Sequence, residues 1–200
     1  MIFWILFAIL YIPCLIFFPV FKRGTKNLKA LKKNKQNYII ACNHMSNLDP
    51  VMMDITMRRK YCFLAKKELF KSKFKAWLMR SLGAVPVDRG TADTRAIKEI
   101  FTKLKQRKNI CIFPQGTRAK TVHVEGQTAK EGVAMFSLRT DTPVVPMMYS
   151  RKLGFLRFAK LYIGEPIYPD VEKKKDKEYM SEYANLIVEK MNGLLEGEQK

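Results

Sequence analysis

Two short segments hold the residue types that chemistry needs. The first is Asn43-His44-Met45-Ser46-Asn47-Leu48-Asp49, which follows an apolar run over residues 38–42 and leads into Pro50. It carries one of the 2 histidines in the chain. A histidine at a strand end, with a carboxylate five residues on, suits a general base and the group that orients it. On one helix the two would stand about 140° apart. Pairing therefore needs a loop that enters a helix and turns the carboxylate back onto the imidazole. Asp49 on one ring nitrogen would fix the tautomer, and the other nitrogen could take a proton from a hydroxyl. The same residues also fit a surface histidine beside an aspartate capping a helix, and an H-x4-D pair by itself is a weak signal.

The second segment is Phe113-Pro114-Gln115-Gly116-Thr117-Arg118, again at the end of an apolar run. A glycine, a hydroxyl and an arginine after a strand suit an anion such as phosphate. Gly83-Ala84-Val85-Pro86-Val87-Asp88-Arg89 ends in an acid–base pair, and Lys66 and Lys67 follow another apolar run. Each of these taken alone also fits surface cations in ordinary turns. No G-x4-G-K-[ST] sequence occurs, which disfavours a nucleotide-binding loop. His123, in a polar loop with no carboxylate at motif spacing, reads as a surface residue.

The elements that would position these segments alternate. Residues 38–42, 61–65, 84–87, 109–113, 144–149 and 159–163 read as strands. Residues 50–59, 91–107, 128–138 and 177–195 read as helices, with another near Phe70. The helix over 91–107 has the clearest pattern, with Ile97, Ile100, Phe101 and Leu104 at i, i+3, i+4 and i+7. Asp49 is expected to cap the helix that Pro50 opens. The order implies an α/β fold, a mixed, largely parallel sheet flanked by helices. Such folds place their sites in the loops at strand ends, and both segments lie there.

The 200 residues suit one domain with a substantial core. Lys+Arg 37 against Asp+Glu 18 gives a formal net charge of +19, so the surface seeks polyanions. Residues 1–21 hold no charged side chain and are followed by Lys22-Arg23. They read as an uncleaved membrane anchor with the rest of the chain on the cytoplasmic side. A full span and a helix lying in one leaflet both fit, because Pro13 and Pro19 interrupt the run. Leu28 and Leu31, in the basic stretch that follows, suit a short interfacial helix. The segment around residues 70–82 interleaves lysines with large apolar residues. That pattern fits either a face pressed onto anionic lipid or an ordinary core-facing helix. The four cysteines form no C-x-x-C pair and read as buried thiols of a reducing compartment, with no metal site. No nucleic-acid motif appears, and the basic residues are spread along the chain, which argues against specific nucleic-acid binding.

Taken together, the segments resemble the 1-acyl-glycerol-3-phosphate acyltransferase family, bacterial membrane enzymes that make phosphatidic acid. The likeness runs from about Tyr38 to Tyr149. It rests on four blocks in order: Asn43-His44…Asp49; Gly83…Val87-Asp88-Arg89; Phe113 to Arg118; and Val145-Pro146. The resemblance implies that residues 22–200 form an acyltransferase domain behind the 1–21 anchor. It makes His44 the general base on the glycerol 2-hydroxyl of lysophosphatidate, with Asp49 orienting it. Arg89 and Arg118, with Lys66, would hold the phosphate, and Gly116 and Thr117 would shape that pocket. The acyl donor would be a thioester of acyl carrier protein or coenzyme A, with no other cofactor. Gln115 departs from the family, whose third block has glutamate there. Glutamine keeps an acceptor oxygen for a substrate hydroxyl but not the charge. Another acceptor, glycerol-3-phosphate or a different lysophospholipid, stays open. So does a non-catalytic module that binds anionic lipid.

Overall fold

The computed structural model describes residues 2–88, 93–124 and 130–196. The chain runs through α1 (Ile2–Phe17), β1 (Val20–Arg23), a 3-10 turn (Thr25–Leu28), α2 (Lys29–Lys33), β2 (Ile39–Cys42), α3 (Asp49–Met57) and β3 (Cys62–Lys66). It continues through α4 (Lys73–Ser81), β4 (Ala84–Val87), α5 (Thr94–Lys105), β5 (Ile110–Ile112), α6 (Lys130–Thr140), β6 (Val144–Tyr149), β7 (Ala159–Ile163) and α7 (Lys177–Glu196). The seven strands form one sheet in the order β1-β7-β6-β2-β5-β3-β4. Every adjacent pair is parallel except β6–β7. The expected α/β architecture is therefore the observed one.

Strand alternation builds two cores. On β2, Ile40 and Cys42 face one side and Ile39 and Ala41 the other. The first side packs on Met52, Met53 and Ile55 of α3 and on Leu28 and Leu31. The second packs on Ile100 and Leu104 of α5, Val133 and Ala134 of α6, and Ile187 and Met191 of α7. Because both faces are covered, the central strands are apolar throughout, as parallel strands require. Leu28 and Leu31 are fully buried in the protein's own core, so the short basic helix turns its leucines inward rather than toward a lipid surface.

Three local differences from the sequence pattern have physical causes. β1 was hidden in the apolar run; it straddles residues 21 and 22 and pairs with β7, Phe21 opposite Lys160. The segment near Phe70 first makes a 3-10 turn, and α4 starts only after Ser72, whose Oγ accepts the Lys75 N–H at 3.2 Å. α5 begins at Thr94 because Asp93 caps it, accepting the Arg95 and Ala96 N–H groups. Among the described residues no helix is long and apolar enough to cross a membrane. Cys42, Cys62 and Cys111 are buried free thiols, and Cys14 is half-buried and free.

Candidate active site

β2 delivers Asn43 and His44 at its C-terminal end, between β5 and β6. Asn43 is fully buried and locks that end in place. Its Oδ1 accepts the Tyr149 N–H at 2.8 Å, and its Nδ2 donates to the carbonyls of Tyr149 (3.0 Å) and Val122 (3.1 Å). An asparagine supplies a donor and an acceptor on one short side chain, so it continues the β2–β6 ladder where β2 itself has ended.

The chain then turns into α3, and the turn is organised by Asp49. One carboxylate oxygen, Oδ2, takes three donors: the Met45 N–H at 2.7 Å, the Ser46 N–H at 2.7 Å and His44 Nδ1 at 2.9 Å. Asp49 therefore does not cap its own helix. It lies inside the first turn, with Leu48 at the cap position, and its side chain reaches back across the loop. This is the loop-into-helix geometry that an H-x4-D spacing needs. The carboxylate is completely buried, and its Oδ1 has no partner among the described residues. A buried carboxylate is costly unless compensated, so three donors on one oxygen hold Asp49 and the imidazole in a single arrangement. The His44 ring also stacks on Phe113, with centroids 4.3 Å apart and planes at 25°. With Nδ1 engaged, Nε2 is the ring nitrogen without a protein partner among the described residues.

The third block closes over the same turn. The Gly116 N–H donates to the Phe113 carbonyl at 2.9 Å, with Pro114 at the second position and Gly116 at a φ of 66°. Proline presets the turn, and glycine takes the left-handed conformation without strain. Gln115 then faces inward. Its Oε1 accepts the His44 N–H at 2.7 Å, and its Nε2 donates to the His123 carbonyl at 3.3 Å. The Ala119 N–H donates to the His44 carbonyl at 2.8 Å. Both backbone polar groups of His44 are thus held by the third block. The oxygen expected to meet a substrate hydroxyl is occupied by the protein's own backbone.

His44 opens on a cavity of about 460 Å³. Lys66 and Arg118 stand on its wall, and Val51, Phe63, Leu64, Ala65, Met79 and Leu82 give it an apolar lining. Of the expected site residues, the fold brings His44, Lys66 and Arg118 onto one surface, with Asp49 and Gln115 behind His44. Thr117 is exposed, and neither Gly116 nor Thr117 is on the cavity wall. Arg89 lies outside the described residues. Its block nevertheless arrives beside the cavity, because Val87 pairs with Lys66 in the β3–β4 register. Asp88 pairs with Lys67 at 3.8 Å, and both are exposed enough for the contact to contribute little. His123 is exposed, as expected. Sequence reasoning did not find the locking role of Asn43, the stacking of Phe113 or the apolar wall, whose members read as ordinary core residues.

A fixed histidine–carboxylate pair facing an apolar cavity with cations at its rim, on a largely parallel α/β sheet, defines a hydroxyl-activating transferase site for an amphiphilic anion. Residues 20–150 match the acyltransferase family model, and the chain belongs to that family. It is similar to the 1-acyl-sn-glycerol-3-phosphate acyltransferase of Bacillus subtilis, 30% identical over 147 residues that cover 68% of this chain and 72% of that one. The enzyme of that name from Streptococcus pneumoniae is 29% identical over 168 residues, 80% of this chain; the chain spans 61% of that relative's length. In structure it resembles the 1-acyl-sn-glycerophosphate (LPA) acyltransferase PlsC of Thermotoga maritima, at a TM-score of 0.67 and 26% identity, covering 90% of this chain and 73% of that one.

Proposed function

We propose that this chain is a 1-acylglycerol-3-phosphate acyltransferase, moving an acyl group from a thioester to the 2-hydroxyl of lysophosphatidate and so making phosphatidic acid. The observation that carries this reading is the free Nε2 of a carboxylate-oriented His44 on an apolar cavity flanked by Lys66 and Arg118. Nε2 takes the hydroxyl proton as the oxygen attacks the thioester carbonyl. Asp49, buried against Nδ1, compensates the charge the ring acquires. Collapse of the tetrahedral adduct breaks the C–S bond, and the proton on Nε2 passes to the leaving thiolate. A thioester is already activated, so positioning and base catalysis suffice, without a metal or another cofactor. The cavity takes acyl chain, while Lys66, Arg118 and Arg89 face the phosphate as charge-assisted donors.

The donor is acyl carrier protein or coenzyme A, both acidic partners for a chain of net charge +19. The same charge, together with α1, favours attachment to the cytoplasmic face of an anionic membrane. Ile5, Ile9, Ile12 and Ile16 form one exposed stripe of α1, while Phe7, Tyr11 and Cys14 pack on the core from the opposite side. A helix apolar on both sides, held against the body by one of them, fits one leaflet with its free stripe in lipid.

The test uses protein in anionic vesicles with labelled lysophosphatidate, acyl-CoA and acyl-acyl carrier protein, and with glycerol-3-phosphate as a competing acceptor. Phosphatidate formation is expected. Acylation of glycerol-3-phosphate alone would move the acceptor, and lipid retention without turnover would make this a binding protein.

A further inference from the structure

The connection from β6 to β7 displays apolar side chains in a way the body of the protein does not use. Ser150 and Lys160 close its base: the Ser150 N–H donates to the Lys160 carbonyl, and the Lys160 N–H to Ser150 Oγ, both at 2.9 Å. Gly154 and Arg157 bridge at its tip, with the Arg157 N–H on the Gly154 carbonyl at 3.1 Å. The two residues between them are Phe155 and Leu156. Leu156 sits at a φ of 56°, a conformation in which turns ordinarily use glycine or asparagine. A branched side chain is therefore held in a disfavoured backbone state at a tip, where it gains no burial. Phe155, Leu156 and the neighbouring Phe158 are 62%, 57% and 65% exposed.

The hairpin is fastened to the N-terminal segment. The Leu156 N–H donates to the Phe17 carbonyl at 2.6 Å, at the C-terminal end of α1. Phe155 stacks on Phe17 at 5.1 Å and meets Phe18 edge-on at 6.4 Å, and Phe158 stacks on Phe21 at 5.8 Å. The apolar tip is thereby continuous with the end of the exposed stripe on α1. Arg151, Lys152 and Arg157 are exposed around it. Apolar residues at a tip with cations behind them match the layering of an anionic bilayer surface, acyl chains beneath and phosphates above. Such a continuous exposed patch is uncommon on a protein that works free in water.

We propose that the 151–158 hairpin inserts Phe155, Leu156 and Phe158 into the same leaflet as α1, with Arg151, Lys152 and Arg157 on anionic headgroups. This extends the membrane attachment proposed above and rests on it. It also positions the catalytic end of the sheet. The hairpin begins one residue after Tyr149, whose N–H and carbonyl are both bonded to Asn43, the neighbour of His44. Seating the hairpin fixes the height of β6 and β2 above the lipid, where a single-chain lysophospholipid would be drawn up toward His44.

The test uses full-length protein with one tryptophan. Leu156→Trp in a Trp4→Phe, Trp77→Phe background reports the tip, and Trp77→Phe alone leaves Trp4 to report α1. Each is mixed with phosphatidylcholine–phosphatidylglycerol vesicles whose acyl chains carry bromine. Both tryptophans are expected to shift to the blue and to be quenched. Phe155→Ser with Leu156→Gly and Phe158→Ser should weaken vesicle partitioning by about tenfold or more. Its thermal midpoint should not fall, because glycine relieves the turn. Quenching of Trp4 without the tip tryptophan would overturn the hairpin and leave α1 as the anchor. Quenching of neither would overturn the membrane attachment and the hairpin with it. A blue shift at the tip without lipid, growing with protein concentration, would show a second copy covering the patch and would equally overturn it.

Discussion

Gln115 stands where the family has glutamate, and its contacts define what each replacement should do. Its Oε1 holds the His44 N–H at 2.7 Å. In Gln115→Ala that part-buried donor loses its acceptor, a cost of about 1–3 kcal/mol. The Ala119 N–H still holds the His44 carbonyl, so the loop stays attached at one point and the ring can swing about it. If the cost appears as loss of the productive ring position, kcat falls about ten- to a hundredfold, since each 1.4 kcal/mol is a factor of ten. KM for the thioester should hardly move. Gln115→Glu behaves differently. A carboxylate keeps the acceptor and strengthens it, but it cannot donate to the His123 carbonyl that Nε2 meets at 3.3 Å. These effects oppose each other, so the rate should stay within about fivefold of wild type, equivalent to about 1 kcal/mol. The assay is steady-state acyl transfer to labelled lysophosphatidate in vesicles, with the thermal midpoint recorded for each variant. A Gln115→Ala enzyme with wild-type kcat would refute the positioning role. A gain of ten or more in Gln115→Glu would show that the charge itself acts on substrate.

Two further outcomes follow from buried carboxylates. Asp49→Asn keeps an oxygen for the Met45 and Ser46 N–H groups but removes the charge behind His44. Turnover should fall by about 10²–10⁴ while the fold persists, so near-wild-type turnover would dismiss the pair. Asp54, buried in α3 with only Oδ1 bonded, to the Tyr61 N–H, is pushed from 3.8 up to about 8, chiefly by burial. The folded protein thus keeps a proton that the unfolded chain releases, and stability should fall as pH rises from about 4 to about 8, by up to about 1.4 kcal/mol per unit. Denaturant midpoints of wild type and Asp54→Asn at about pH 5 and pH 8 measure this, and the variant should be the flatter. Equal slopes would mean that Asp54 is already ionised in the fold.

The sequence was most legible where one interaction dominates. Apolar runs bounded by turn residues located the six later strands and their parallel order, because burial on both faces leaves little else such runs can be. The four blocks located His44, Asp49, Lys66 and Arg118. Contacts between segments were not legible. β1 is a strand only because β7 lies beside it, and inside an apolar run its residues look like more helix. Asp49 has the composition of a cap, and only the path of residues 43–48 turns it toward His44. Gln115 looked like a substrate ligand because nothing in its own segment reveals that His44 N–H will be 2.7 Å away. Ala65 and Leu82 carry the same signal whether they fill a core or line a cavity.

The most direct measurement is single-turnover transfer from a labelled acyl thioester to lysophosphatidate by wild type and His44→Ala in the same vesicles, with binding of both substrates determined separately. His44 Nε2 as the base predicts retained binding and a loss of at least about 10²–10⁴ in the transfer rate. Transfer by His44→Ala at the wild-type rate would contradict the mechanism, whatever the lipid binding showed.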